Sequence, residues 1–193
     1  TPAAPAGRTG QLVIDTEDIT IGPGGTISGA TLSAELVTNN VNFTTSQSGN
    51  GNGDIFVNDA IAWTASGAPT TLSFNAIRDV DINAPISATN GNFSVCCGRD
   101  INDNGAITTV NGSVLLSAGR DLNQNSPITV TDGNLEMCAA NNVNISSAIT
   151  LTRGSSIPGQ SLGLPLGLTL RADSDGTGPG IQGGSVIYSP LAP

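Results

Sequence analysis

The chain of 193 residues carries 15 acidic and 6 basic side chains, a formal net charge of -9, and no histidine. All six basic residues are arginines, so the sequence lacks the histidine and lysine needed for Ser–His–Asp or Cys–His nucleophiles, Schiff bases, phosphate-loop lysines and imidazole metal sites. The acidic balance without a basic patch argues against binding of nucleic acid or of an anionic membrane surface.

The composition favours an all-β protein with many tight turns. Charged residues make up 11% of the chain and aromatic residues 3%, whereas a typical charged fraction is about 25%. Short β-branched runs alternate with Asn/Gly turns, and this pattern is typical of one domain or an elongated array of short strands. No stretch approaches the ~20 apolar residues of a membrane-spanning helix.

The first part of the chain is predicted to be irregular. Residues 1–10 are proline-rich (TPAAPAG) and are interpreted as a joint in a longer chain. Residues 11–69 are predicted to form irregular β-helix coils, which begin with a pair of short strands in Gln11–Ile21. Within ISGATLSAEL the apolar residues fall near helical spacing, and Ser28 is a candidate N-cap for a short helix.

A segment of this irregular part already resembles the later coils. Asp54–Trp63 (DIFVNDAIAW) matches the pattern of Asp79–Ala88, and its inward positions are Ile55, Val57 and Ile61. Four extra residues, Ser66–Pro69, are then predicted to bulge out as a loop.

Residues 70–154 repeat one pattern every 21 residues, which predicts four regular coils. The period is marked by glycines at Gly91, Gly112, Gly133 and Gly154 and by the pairs Arg78-Asp79, Arg99-Asp100 and Arg120-Asp121. Four apolar columns keep the same register: Leu72/Phe93/Val114/Leu135, Phe74/Val95/Leu116/Met137, Val80/Ile101/Leu122/Val143 and Ile86/Ile107/Ile128/Ile149. A strict period of this length is typical of a solenoid.

The repeat is too short for a helical solenoid, whose units of about 33 to 47 residues hold two helices. Each unit instead contains alternating apolar and polar residues, such as Phe93-Ser94-Val95, separated by Asn-Gly or Asp-Gly turns. This alternation indicates strands. Stacked at about 4.8 Å per coil, the apolar columns form one core and the outward columns form ladders of like residues. The sequence therefore predicts a right-handed parallel β-helix with coils of about 21 residues.

The last part, residues 155–193, is predicted to hold a Gly/Pro-rich loop, terminal strands at Leu168–Arg171 and Val186–Tyr188, and a second proline-rich joint (SPLAP). Terminal repeats of soluble solenoids normally carry a polar cap, and neither end of this pattern shows a clear one. We therefore expect a neighbouring module of the same chain or fibre to cover the open strand edges.

These segments together resemble a known family. The ordered series ISGATLSAEL, NNVNFTT, GNGDIFVNDAIAW and LSFNAIRDVDINAPISA, followed by coils with GRDI and GRDL, is similar to filamentous-haemagglutinin-type adhesins of Gram-negative bacteria. The resemblance spans roughly residues 11–190. It implies a right-handed β-helical shaft, secretion through an outer-membrane two-partner transporter, and a place at the cell surface or in a biofilm matrix. It carries over no catalytic residue.

The resulting expectation for function is a non-enzymatic shaft module of a secreted adhesin or matrix fibre, with glycans or cell-surface receptors as candidate partners. Two alternatives remain open, a β-helical enzyme that degrades polysaccharides and an ice-binding protein. No catalytic, cofactor-binding or metal-binding residue is assigned.

The enzyme alternative depends on the repeated carboxylates. Five of them are predicted near one edge of consecutive coils: Asp79, Asp81, Asp100, Asp103 and Asp121. Under this alternative they would bind a calcium ion or act as catalytic pairs. We favour a structural interpretation, in which the repeated Arg-Asp pairs place opposite charges beside each other and limit repulsion between like charges. A catalytic site is usually a unique break in a repeat, whereas these residues are the repeat itself.

Calcium is the one cofactor that the sequence leaves open. Asp173-Ser174-Asp175-Gly176 resembles the start of a calcium loop but lacks the late bidentate glutamate. Residues 49–54 (GNGNGD) resemble a calcium-binding nonapeptide but occur once. Both segments are predicted to be turns.

The candidate ligand-facing surface is an outward column of hydroxyl side chains. The column comprises Ser87, Thr108, Thr129 and Thr150, with Thr131 and Thr152 in the neighbouring column, which Val110 interrupts. Such a face suits hydrogen bonds to sugar hydroxyls, as an adhesin requires, or ordered water against ice. Exposed threonine is also simply a favourable strand residue.

The three cysteines depart from the cysteine-poor shafts of the family. Cys97 aligns with Ala76, Ala118 and Ala139 and is predicted to be small and buried. Cys96 and Cys138 are predicted to share an outward column two coils apart, about 9.6 Å by strand spacing, beyond the roughly 7 Å that a disulfide spans. Free or partly oxidised thiols are favoured, while a Cys96–Cys97 disulfide or an intermolecular bond through an exposed thiol stays open.

Overall fold

The computed structural model describes residues 10–46, 51–154, 167–174 and 183–189, without the side chain of Cys97. The chain enters the fold through strands β1 (Gly10–Thr16) and β2 (Ile19–Ile21) and helix α1 (Gly29–Leu36). The next coil consists of β3 (Asn39–Thr45), β4 (Ile55–Val57) and β5 (Ile61–Thr64).

Four regular coils of three strands follow. The first two consist of β6 (Thr70–Asn75), β7 (Val80–Ile82), β8 (Ile86–Thr89), β9 (Gly91–Gly98), β10 (Ile101–Asp103) and β11 (Ile107–Val110). The other two consist of β12 (Val114–Ala118), β13 (Leu122–Gln124), β14 (Ile128–Thr131), β15 (Leu135–Ala139), β16 (Val143–Ile145) and β17 (Ile149–Thr152). The last described strands are β18 (Leu168–Arg171) and β19 (Val186–Tyr188).

The strands form three parallel sheets, and successive coils add one strand to each sheet. Sheet 1 has the order β1-β3-β6-β9-β12-β15-β18, sheet 2 the order β2-β4-β7-β10-β13-β16-β19, and sheet 3 the order β5-β8-β11-β14-β17. Ile101 in sheet 2 pairs with Val80 and Leu122, each 21 residues away. The predicted parallel β-helix with coils of this length is confirmed.

The predicted apolar columns form the core. Ile86, Ile107 and Ile128 pair in register through sheet 3 and are fully buried. In the earlier coils the core contains aromatic rings in edge-to-face contact, with centroids 5.7 Å apart for Phe43 and Phe74 and 5.4 Å apart for Phe74 and Phe93. Strand alternation places every second side chain inward, and the repeat places the same residue type at each inward position.

The periodic Asn-Gly and Asp-Gly turns have two separate physical causes. Asn90 and Asn111 adopt positive φ, 55° each, which asparagine tolerates better than most residues. The glycines are required by the stacking of the coils. A Cβ on Gly112 would overlap the carbonyl oxygen of Gly91 in the preceding coil, and a Cβ on Gly133 would overlap the carbonyl oxygen of Gly112. The coils approach each other too closely at this column for any side chain.

The predicted short helix is present and covers part of one end of the fold. Ser28 caps α1, since its Oγ accepts a hydrogen bond from the Thr31 N–H at 3.1 Å. The helix lies beside β5, the first strand of sheet 3, where the Ala62 N–H donates to Ser33 Oγ at 2.9 Å. At the N-terminal end the helix therefore takes the place of a strand beside sheet 3 and covers its edge.

The predicted loop and regular coils lie among the described residues, and the predicted proline-rich joints do not. The loop Ser66–Pro69 is exposed, as predicted. Strands β6–β17 occupy the range of the predicted regular coils, while the proline-rich segments lie outside the described residues. In the described ranges, no helix has the length and apolar character needed to cross a membrane.

The register can be tested by placing an aspartate on either side of one strand. Ile128 is fully buried and its neighbour Thr129 faces outward. We expect Ile128→Asp to lower the free energy of unfolding by more than about 3 kcal/mol, because it buries an unpaired carboxylate. We expect Thr129→Asp to cost less than about 1 kcal/mol. Urea melts would measure both, and equal losses would contradict the register.

Candidate functional site

The predicted hydroxyl residues meet on the outer face of sheet 3. Thr108 pairs in register with Ser87 on one side and Thr129 on the other, and Thr129 pairs with Thr150. In the neighbouring column Thr131 pairs with Thr152, and their Oγ1 atoms are hydrogen-bonded at 2.9 Å. We call this surface the threonine face, formed by the outward residues of β5, β8, β11, β14 and β17.

The threonine face carries no charged side chain among its described residues. Its two columns are Ala62/Ser87/Thr108/Thr129/Thr150 and Thr64/Thr89/Val110/Thr131/Thr152. Val110 interrupts the second column, as expected, and is 39% exposed. In a chain of net charge -9, an uncharged face of this extent is suited to a neutral, hydroxyl-rich ligand.

Around Val110 the threonine face contains a shallow depression that sequence reasoning missed. Its rim includes Ser87, Thr89 and Thr108, and the inward residues Trp63 and Ala88 also contribute to its lining. The Trp63 ring is held by a hydrogen bond from Nε1 to Thr70 Oγ1 at 3.0 Å. The substitution of valine for threonine is the only sequence signal for this feature, because the depression depends on the side-chain sizes in three adjacent strands.

The repeated Arg-Asp pairs form the second periodic surface. Arg99 donates from Nε and Nη2 to Asp79 Oδ1 and Oδ2 at 3.0 and 2.7 Å, so it pairs with the aspartate of the preceding coil. Arg120 Nε and Nη2 donate to the two carboxylate oxygens of Asp100 in the same way, and the hydrogen bond with Asp100 raises the pKa of the Arg120 guanidinium. The predicted alternation of opposite charges is present.

Each aspartate of this surface also holds the backbone of the next coil. The Asp100 N–H donates to Asp79 Oδ1 at 3.1 Å, and the Asp121 N–H donates to Asp100 Oδ1 at 3.2 Å. The same bond recurs along the whole column, which we call the arginine–aspartate ladder and which comprises Asp18, Asp54, Asp79, Asp100, Asp121 and Asn142 with Arg78, Arg99 and Arg120. These carboxylates have a structural role in every coil.

One aspartate of the ladder, Asp18, was not predicted, whereas Asp54 was predicted to match Asp79. Insertions in the first coils displace both from the 21-residue period. The signal that identifies both is local: each aspartate of the ladder directly precedes the first residue of a sheet 2 strand, as Asp18 precedes Ile19 and Asp54 precedes Ile55.

The prediction that five aspartates share one edge is wrong for Asp103 and inaccurate for Asp81. Ile101 and Asp103 are two residues apart in β10, so both face inward, and Asp103 is fully buried. Burial raises the pKa of its carboxyl to about 8. Asp81 faces outward from the middle of β7 and accepts a hydrogen bond from Asn102 Nδ2 at 2.7 Å, away from the arginine–aspartate ladder.

The two calcium-like segments are irregular where the structure describes them, with bends at Gly53 and Asp173 and a β-bridge residue at Ser174. Three successive N–H groups, of Asn52, Gly53 and Asp54, donate to Asp18 Oδ1 at 2.9, 2.8 and 2.9 Å, so this segment folds around a carboxylate of the chain itself. The Gly183 N–H donates to Asp173 Oδ1 at 3.0 Å, while Asp175 lies outside the described residues. In the described ranges, no group of three or more His, Cys, Asp or Glu side chains could hold a metal ion.

The cysteines follow the predicted column only in part. Ser117 pairs with Cys96 on one side and Cys138 on the other, as predicted. A register shift then pairs Ala118 with Gly98, so the predicted alignment of Cys97 with Ala118 is wrong. The side chain of Cys97 and its predicted burial lie outside what the structure describes.

Cys138 is not the exposed thiol that intermolecular pairing would require. It is a free thiol and is 8% exposed, and it pairs with Arg171 of β18 in sheet 1. Its Sγ donates to Glu136 Oε1 at 3.4 Å, and burial, more than this bond, raises its pKa to about 11.

Comparisons of the chain with protein-family models, curated proteins and solved structures found no significant match. The resemblance to filamentous-haemagglutinin-type adhesins therefore stays a prediction from the ordered motifs.

The contribution of the arginine–aspartate ladder can be measured at its centre. Arg99→Gln removes the cation between Asp79 and Asp100, and we expect a loss of about 1 kcal/mol, since two carboxylates then face each other. Raising the ionic strength should reduce this loss by screening the repulsion. The control is Arg153→Gln at an exposed position outside the ladder. Equal losses for the two variants in urea melts would contradict a role for the ladder.

Proposed function

We propose that this chain is a non-enzymatic shaft module of a secreted bacterial adhesin or matrix fibre. The observation that carries the proposal is the continuous stack of parallel coils, in which core columns, turns and outward ladders all keep one register. Such a stack suits a stiff spacer with repeated surfaces. By the same proposal, the module acts at the surface of a Gram-negative cell and leaves the cell through a two-partner transporter.

The stack resists bending because neighbouring coils are joined all around the circumference. The three sheets join successive coils by backbone hydrogen bonds on three sides. At the outward corners asparagine amides link the coils: Asn83 Nδ2 donates to Asn58 Oδ1 at 3.0 Å, and Asn104 Nδ2 donates to Asn83 Oδ1 at 3.1 Å. Bending the rod would have to stretch these bonds on one side and compress the core on the other.

We assign attachment to the threonine face. Its hydroxyls recur at about 4.8 Å along the axis and offer the same donor and acceptor groups from coil to coil. A single hydroxyl contact is weak, but a long polymer engages several coils at once, and linked weak contacts raise the overall affinity through a high effective concentration. Neutral glycans are the ligand class that this uncharged surface favours.

Neighbouring modules are proposed to meet through sheet 1 at the N-terminal end. There α1 covers the edge of sheet 3, and Thr26 N–H bonds the Thr20 carbonyl at 2.8 Å beside β2. By contrast, β1 has a strand neighbour only on the side of β3 among the described residues. Its inward residues Leu12 and Ile14 are only partly buried, which leaves an edge that a further strand can join.

The attachment role can be tested by charging the threonine face. We expect Thr108→Glu combined with Thr129→Glu to reduce binding of protein-coated beads to neutral polysaccharides at least tenfold, because it places two carboxylates at adjacent positions of the uncharged face. The matched control is Ser73→Glu with Ser94→Glu, which pair in register on the outer side of sheet 1. Binding and polysaccharide chain length would both be measured.

Three outcomes contradict the proposal. Unchanged binding by the threonine variant excludes this face as the attachment surface. Shortening of a polysaccharide that one Asp→Asn change abolishes would establish an enzyme instead. Thermal hysteresis that the threonine variant loses would establish an ice-binding protein.

A further inference from the structure

Neither the core packing nor the proposed attachment explains the buried carboxyl of Asp103. This residue ends β10, in the second regular coil, and is 0% exposed. Neither of its carboxylate oxygens has a hydrogen-bond partner. A buried polar group without a partner is costly, and a buried charge without one is far more costly.

The neighbours of Asp103 in its own column do not satisfy it. Ile82 pairs with it on one side and Gln124 on the other. The Gln124 amide is already engaged with the next turns, since Nε2 donates to the Ser126 carbonyl and Oε1 accepts from the Ser147 N–H at 3.3 Å. The Gln124 side chain makes no hydrogen bond to Asp103, both of whose carboxylate oxygens lack a partner, and the paired residues of the column include no cation.

The strands packed against β10 bring no charge to the carboxyl either. The inward side chains of β7, β13 and β12 are all uncharged: Val80, Ile82, Leu122, Gln124, Val114, Leu116 and Ala118. The titratable groups of these coils lie elsewhere, with Asp81 on the outer side of β7 and Asp100, Asp121, Arg99 and Arg120 in the arginine–aspartate ladder. Desolvation alone therefore governs the ionisation of Asp103.

We propose that Asp103 is a proton-controlled latch, which keeps its coil closed while the carboxyl is neutral and lets the coil open locally when the proton leaves. The latch sits in the middle of the shaft and does not depend on the attachment role. The proton passes to solvent water or hydroxide as the coil opens, and no other reactant takes part.

The sign of the pH effect follows from the two states. In the opened chain the carboxyl has its ordinary pKa of 3.8, whereas burial raises the pKa in the closed coil to about 8. Between these values the closed coil holds a proton that the opened chain releases, so stability is complete below the lower value and falls as pH rises. One proton of difference increases the opened fraction up to tenfold per pH unit until about pH 8, where the effect levels off.

Urea unfolding of the full chain between pH 5 and pH 9 tests the latch. We expect the unfolding midpoint of the wild type to fall across this range and to level off above about pH 8. Asp103→Ile restores the residue type of Ile82 and Ile145 in the same column, and it should remove most of the decline and raise the midpoint at pH 9. Asp103→Asn should also remove the decline. The control Asp15→Asn, which neutralises an exposed carboxylate in β1, should keep it.

Hydrogen exchange of the wild type provides a readout that needs no variant to fold. The Asn125 N–H reports on the coil of Asp103, because it donates to the Asp103 carbonyl at 2.8 Å. The Asn83 N–H is the reference, because it donates at 2.8 Å to the carbonyl of an apolar residue, Val57. After correction for intrinsic exchange, protection of Asn125 should fall up to tenfold per pH unit while that of Asn83 falls less. Equal pH profiles for the two amides, or for wild type and Asp103→Asn in urea, would overturn the proposal.

Discussion

One constraint governs the regular part of this protein: each strand residue pairs with the residues one repeat before and after it. Since adjacent strands lie about 4.8 Å apart, the nearest neighbour of a side chain is its own equivalent in the next coil. Isoleucines meet this condition by packing into a core, and glycines meet it by admitting the preceding carbonyl. Asparagines stack on their own equivalents through side-chain hydrogen bonds, since each amide group has both a donor and an acceptor.

Charged residues meet this condition least easily, which accounts for the composition of the chain. A stacked column of one charge repels itself, so carboxylates recur only where arginines or backbone N–H groups stand between them, as in the arginine–aspartate ladder. Elsewhere most outward positions carry Ser, Thr or Asn, whose stacking needs no counter-charge, and an outward carboxylate such as Glu136 has an uncharged neighbour, Leu115, in the preceding coil. The charged fraction of 11% and the neutral threonine face are two results of the same restriction.

The sequence was sufficient for the fold and for the hydroxyl columns, because period and alternation determine which side chains share a face. It was insufficient where one residue breaks the local rule. Asp103 occupies an inward column with Ile82, Gln124 and Ile145, and classing it with the other aspartates by type hid its inward position. The bulge at Cys97 leaves the repeat length unchanged and so leaves no trace in the period.

Features that depend on three-dimensional position were also missed. The short helix was predictable from its N-cap and its apolar spacing, but its role as the cover of sheet 3 depends on where it lies next to β5. The depression around Val110 likewise depends on side chains from adjacent strands.

The arginine–aspartate ladder also gives the stack a polarity. In the rungs with Arg78, Arg99 and Arg120, the acceptor is an aspartate of the earlier coil, and the donors, a guanidinium and a backbone N–H, belong to the later coil. A finished coil therefore presents a vacant acceptor to the segment that follows it in the chain, as a template does. We therefore expect coils to add in chain order from the end covered by α1, because each finished coil leaves these acceptors for the segment that follows it.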